Sequence, residues 1–127
     1  VSGVLVVEDD GDLLALMETV ILDAGWPVRT AANGRAALER VAEAMPALVL
    51  LDMRMPVMDG WEFAAAFRER YGRAAPIVVV TAAENARARA EEIGAEGWLA
   101  KPFDLEEVIG AIARHLGPPP GGAQPSM

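Results

Sequence analysis

The chain has 127 residues, of which 53% are hydrophobic, 24% are charged and none is cysteine. That makes one domain with ample material for a core, no disulfide and no thiolate metal site. The formal net charge of −8 argues against non-specific binding to nucleic acid, which needs a basic face, and suits an anionic membrane surface no better. The lack of cysteine fits a cytoplasmic protein. No apolar stretch approaches ~18 residues, so no transmembrane helix is expected. The start, Val1-Ser2-Gly3, lacks the basic-then-apolar order of a signal peptide. It also lacks Met, so the chain is expected to be processed or cut from something larger.

Apolar runs of strand length alternate with helical patterns along the chain. Val4–Val7 reads as a strand. Asp10 or a neighbour can cap a helix over Gly11–Ala24, with Leu13, Leu14, Met17, Val20 and Ile21 at helical spacing, stopped by Gly25. Pro27–Ala31 reads as a short strand. Asn33-Gly34 turns into a helix through Ala44, with Ala37, Leu38 and Val41 facing inward, and Pro46 ends it. Ala47–Leu51 is a third strand. Asp59 suits an N-cap for a helix to Tyr71. Pro76–Val80 is a fourth strand ending at Thr81, since Pro is acceptable at a strand's first residue. Glu84–Ile93 reads as an Ala-rich, weakly apolar helix broken by Gly94. Few buried contacts make it a natural mobile element. Gly97–Ala100 is a fifth strand. Asp104 caps a last helix with Leu105, Val108, Ile109, Ile112 and Leu116 on one face. Residues 1–116 form the domain. The Pro118-Pro119-Pro120-Gly121-Gly122 run opens a flexible tail or linker stub over 117–127, with no packed role expected.

Strand and helix alternate five times in this reading, which implies a parallel sheet with helices on both faces. Ligands of an open α/β sheet sit beyond the carboxyl ends of its strands. Glu8 and Asp9 follow the first strand, Asp52 ends the third, Thr81 ends the fourth and Lys101 follows the fifth. All the candidate polar residues therefore fall at one edge. A carboxylate at the tip of a buried strand is costly unless something binds it. Three such carboxylates make an acidic pocket that favours a hard divalent cation such as Mg²⁺.

The fragments Val6-Val7-Glu8-Asp9-Asp10, Leu50-Leu51-Asp52-Met53-Arg54-Met55-Pro56-Val57-Met58-Asp59-Gly60, Val79-Val80-Thr81-Ala82 and Lys101-Pro102-Phe103 stand in the order and spacing of a known family. Over residues 3 to 116 the chain resembles a response regulator receiver domain of two-component signal transduction. The resemblance implies a flavodoxin-like, doubly wound five-stranded parallel sheet of order 2-1-3-4-5. It implies that Asp52 is the phosphoacceptor, taking a phosphoryl group from a phosphohistidine on a sensor histidine kinase or phosphotransfer protein. It implies Mg²⁺ as cofactor, held by Glu8, Asp9, Asp52 and the backbone carbonyl of Arg54. Thr81 and Lys101 are implied as donors to phosphoryl oxygens, and the peptide before Pro102 is cis in this family. Thr81 and the aromatic residue at Trp98 are implied as the switch, acting on the face made by the fourth helix, fifth strand and fifth helix.

The chemistry needs these residue types. Phosphoryl transfer spreads charge over three equatorial oxygens, so catalysis is mostly positioning and neutralisation. Carboxylates alone repel a phosphoryl group, and Mg²⁺ and Lys101 reverse the sign of that field. A carboxylate nucleophile gives a labile acyl phosphate suited to a transient signal rather than to enzymatic turnover.

Three other readings stand beside this one. An aspartyl-phosphate phosphohydrolase needs a second acid two residues after its nucleophile, where this chain has Arg54. A flavodoxin-like electron carrier needs a phosphate-binding loop after the first strand, where Glu8-Asp9-Asp10 stands. A degenerate receiver would bind partners without phosphorylation. Two features depart from the commonest family pattern. Trp98 is larger than the usual Tyr or Phe. Arg54 is a long cation beside the site, placed to shield the acyl phosphate or to pair with Glu84. Arg54 and Ala83 are expected to set the acyl phosphate's lifetime. Trp61 is expected to anchor the start of the third helix.

Overall fold

The computed structural model describes residues 3–82 and 84–121. Ala83 and the tail beyond Gly121 therefore lie outside the described residues. Ten elements follow in strict alternation: β1 (Val4–Val7), α1 (Gly11–Asp23), β2 (Val28–Ala31), α2 (Gly34–Glu43), β3 (Leu48–Asp52), α3 (Gly60–Tyr71), β4 (Ile77–Ala82), α4 (Ala86–Ile93), β5 (Gly97–Lys101) and α5 (Leu105–Leu116). All strand pairs are parallel and the order is β2-β1-β3-β4-β5. This is the flavodoxin-like, doubly wound sheet expected from the sequence.

Side-chain alternation sorts the core into two layers. Leu5, Val7, Val49, Leu51, Ile77 and Val79 point to one face and pack with Phe63 and Phe67 of α3. Val4, Val6, Leu48, Leu50, Val78 and Val80 point to the other and pack with Met17 and Ile21 of α1 and Val108 and Ile112 of α5. Every residue of β1 and β3 is buried, as a sheet covered on both faces requires.

Short polar side chains start the helices. Asp10 accepts from the backbone of Asp12 and Leu13. Asp59 with Glu62, and Asp104 with Glu107, form reciprocal capping boxes. α4 has no such cap, since Asn85 makes no side-chain capping bond. The helix begins at Ala86 rather than at Glu84, and it buries only Ala86 and Ala90. Leu105, expected on the inner face of α5, is exposed; it is the first residue after the cap, before the helix has turned its apolar side onto the sheet.

The segment that begins at Gly117 touches the domain at Gly121. Gly121 donates its N–H to the carbonyl of Ala24 at 2.8 Å. It lies against Gly25, whose φ of +100° suits a residue without a Cβ. No helix among the described residues is long and apolar enough to cross a membrane.

Candidate functional site

Register puts the site residues at one edge. Asp52 pairs with Val80 across β3 and β4, so Thr81 stands one residue further along, and Ala82 pairs with Lys101 across β4 and β5. Glu8 and Asp9 leave the sheet directly after Val7, the partner of Leu51. One carboxylate oxygen from each of Glu8, Asp9 and Asp52 lies within 4.8 Å of the others. Glu8, Asp52 and Thr81 are buried, whereas Asp9 is exposed. The set consists of hard oxygen donors with one open side, which fits Mg²⁺.

Lys101 enters the pocket from β5. Its Nζ is 2.9 Å from Glu8 Oε1 and 3.9 Å from Asp52 Oδ1. The Lys101–Pro102 peptide is cis. Glu8 also accepts from the Asp10 backbone at 3.1 Å through Oε2, which ties the start of α1 to the pocket. Burial raises the Asp52 carboxyl to about 7, the charge of Glu8 adds to the rise, and Lys101 opposes it. The rise places the ionisation of Asp52 close to neutrality rather than in the ordinary carboxylate range.

The loop after Asp52 is shaped by two close approaches. A Cβ on Gly60 would meet Met53 Sδ at 2.6 Å and the Asp52 carbonyl oxygen at 2.8 Å. Only glycine lets the start of α3 sit so near the strand tip. Val57 has φ of 70°, uncommon for a β-branched residue, and Met58 donates to the Pro56 carbonyl across it at 2.7 Å. These contacts hold the Asp52–Asp59 segment in a tight turn over the pocket edge. The sequence gives no sign of the Val57 conformation.

Arg54 does not pair with Glu84 among the described residues. Its guanidinium lies 5.6 Å from the centroid of the Trp61 ring. Arg89 of α4 lies 5.7 Å from the same ring. The Trp61 indole N–H donates to Glu92 at 2.8 Å, and Arg89 pairs with Glu92 at 2.7 Å. Trp61 thus does more than start α3: it joins the β3–α3 loop to α4. Of its partners only Arg54 stands out in the sequence, because Arg89 and Glu92 sit on an ordinary charged helix. Trp98 is 46% exposed and lines an open groove with Asp104, Glu107 and Arg114.

A doubly wound parallel sheet that gathers three carboxylates and a lysine beyond its strand ends has the architecture of a receiver domain. A family model described as the response regulator receiver domain matches residues 4–113, and the chain belongs to that family. Among similar curated proteins, the transcriptional regulatory protein PrrA of Mycobacterium leprae is 37% identical over 115 residues, covering 89% of this chain and 49% of that protein. The transcriptional regulatory protein PcoR of Escherichia coli is 31% identical, with 89% and 50% covered. The chain thus spans about half the length of these relatives. Among solved structures, the Vibrio cholerae chemotaxis protein CheY4 superposes with a TM-score of 0.80 at 34% identity, covering 90% of this chain and 98% of that one. The receiver domain of NtrX from Brucella abortus gives 0.81 at 27%, covering 89% and 97%.

Proposed function

We propose that this chain is a phosphoacceptor receiver in which Asp52 takes a phosphoryl group from a phosphohistidine of a sensor histidine kinase or phosphotransfer protein. The observation that carries the reading is the convergence of the buried Asp52 carboxylate with Glu8, Asp9 and Lys101 at one sheet edge. Asp52 attacks phosphorus as its ionised carboxylate. The P–N bond to the donor imidazole breaks as the P–O bond to Asp52 forms, and the imidazole nitrogen takes up a proton. Lys101 neutralises one phosphoryl oxygen and the Thr81 hydroxyl donates to another. Glu8, Asp9, Asp52 and the Arg54 carbonyl would hold Mg²⁺, which when bound supplies positive charge to offset the phosphoryl oxygens.

The product is an acyl phosphate, and the chain's own chemistry is limited to gaining and losing it. It acts as a signalling switch and not as an enzyme with turnover. Drawing Thr81 toward the phosphoryl group opens space behind it, Trp98 turns inward, and the face of α4, β5 and α5 changes its binding preference. Partners are the donor kinase and whatever reads that face; nucleic acid and membrane are not direct partners of this chain. The cytoplasm belongs to the same proposal.

Incubation with acetyl phosphate and Mg²⁺, followed by intact mass measurement, tests the assignment. The unsubstituted protein gains one phosphoryl group and Asp52→Asn gains none. Equal labelling of Asp52→Asn would overturn it.

A further inference from the structure

Arg54 is rooted at the pocket. Its backbone N–H lies 3.5 Å from Asp52 Oδ1, and its side chain is exposed. A guanidinium on a long flexible stem beside three carboxylates is drawn to them by charge. Yet among the described residues Lys101 is the cation paired with the pocket acids. The Arg54 guanidinium is instead held over Trp61 at 5.6 Å. The indole has its own restraint, since Glu92 accepts from its N–H at 2.8 Å and pairs with Arg89 at 2.7 Å. The Glu92 carboxylate also offsets the repulsion between Arg54 and Arg89, both of which stand near the ring.

We infer that Trp61 is a positioning residue that parks the Arg54 guanidinium away from the acidic pocket, so that the pocket remains available to a divalent cation. The inference rests on the metal-binding reading above. Released from the indole, Arg54 competes with the cation for Glu8, Asp9 and Asp52 as an internal counter-ion. Parking also links cation binding to α4, because Arg89 and Glu92, which restrain the indole, both belong to that helix.

Mg²⁺ binding measured by calorimetry on the full chain at low ionic strength tests this, with no phosphoryl donor present. Trp61→Leu should weaken binding roughly three- to fivefold, the range of a cation–π contact at an exposed site. Trp61→Phe, which keeps a weaker ring and loses the N–H, should show a smaller loss of the same sign and carries the test if the leucine variant fails to fold. The decisive comparison repeats Trp61→Leu in an Arg54→Gln background. There the tryptophan substitution should no longer change affinity relative to Arg54→Gln itself. A merely structural role for Trp61 would weaken binding equally in both backgrounds, and that result overturns the inference. Equal affinity of Trp61→Leu and the unsubstituted protein overturns it too, while Mg²⁺ binding by the unsubstituted protein leaves the phosphoacceptor reading intact. No Mg²⁺ binding by the unsubstituted protein overturns both.

Discussion

Lys101 Nζ stands 2.9 Å from Glu8 Oε1 but 3.9 Å from Asp52 Oδ1. The pocket's lysine is therefore committed first to the acid that neighbours Asp52. Glu8 is almost fully buried, and a buried charge needs a partner. Asp52 is left with burial and a like charge as its strongest influences, both of which favour the proton.

Stability without metal should fall as pH rises. The folded-state value for Asp52 is raised from 3.8 to about 7, so the folded chain binds the proton more tightly than the unfolded chain does. The resulting stabilisation is complete below about pH 4 and is lost as pH climbs through about 7. Asp52→Asn removes the titration. In EDTA its advantage over the unsubstituted protein should be near zero at about pH 4, rise as pH climbs, and level off above about pH 7. Urea denaturation across that range checks it. A constant difference would show that Asp52 does not titrate in this window.

Mg²⁺ should act in the opposite direction, stabilising most where Asp52 is ionised. Ligand that binds only the folded state raises stability by mass action. Asp9 is exposed and has no ion-pair partner among the described residues, whereas Glu8 is shared with Lys101. Asp9→Ala should therefore abolish most of the Mg²⁺-dependent rise in Tm, and Glu8→Gln only part of it. Thermal melts with and without Mg²⁺ at about pH 8 measure this. If Asp9→Ala keeps the full rise, the cation binds elsewhere.

Much of this site can be read from the sequence because its residues sit at strand ends, where apolar runs stop abruptly. Val4–Val7 leads to Glu8-Asp9 and Leu48–Leu51 leads to Asp52, so the topology of a parallel sheet brings the acids together without any knowledge of side-chain geometry. Edges are less legible. β3 extends to Asp52 and β4 to Ala82 because hydrogen-bonding register, not apolar character, sets where pairing ends. The start of α4 falls later than the sequence suggests, because Glu84 and Asn85 continue the polar helical pattern but provide no side-chain cap. The Arg54–Trp61–Arg89–Glu92 cluster joins Trp61 to Glu92, 31 residues further on, through tertiary packing, and no local pattern encodes it.

Gly60→Ala should damage both the fold and the site. The added methyl would lie 2.6 to 2.8 Å from Met53 Sδ, Met53 Cα and the Asp52 carbonyl oxygen. Two of those atoms are backbone and cannot turn away, so α3 or the strand tip must shift. Overpacking of this kind costs about 1–3 kcal/mol. Denaturant titration should record that loss, and Mg²⁺ affinity should fall with it, because the displaced segment carries Asp52 and Arg54. A variant as stable as the unsubstituted protein would mean that the helix start yields without strain.

Trp98 should report the activated state. Trp98 is 46% exposed, while Trp26 is 5% exposed and so already beyond the reach of an aqueous quencher. Beryllofluoride with Mg²⁺ mimics a phosphoryl group on a carboxylate. In the switch proposed above, drawing Thr81 toward that group opens the space into which the indole turns. Burial of an indole moves its emission to the blue and protects it from iodide. Both changes should appear in the unsubstituted protein and be lost in Trp98→Phe, which keeps a ring able to switch but removes this signal. Trp61 is half-buried near the pocket and is the rival source. A spectral change that survives in Trp98→Phe therefore belongs to Trp61 and its Arg54 contact. If the unsubstituted protein forms the full complex with quenching unchanged, the bulk of the indole has locked Trp98 outward, and the signal passes through Thr81 and α4 alone.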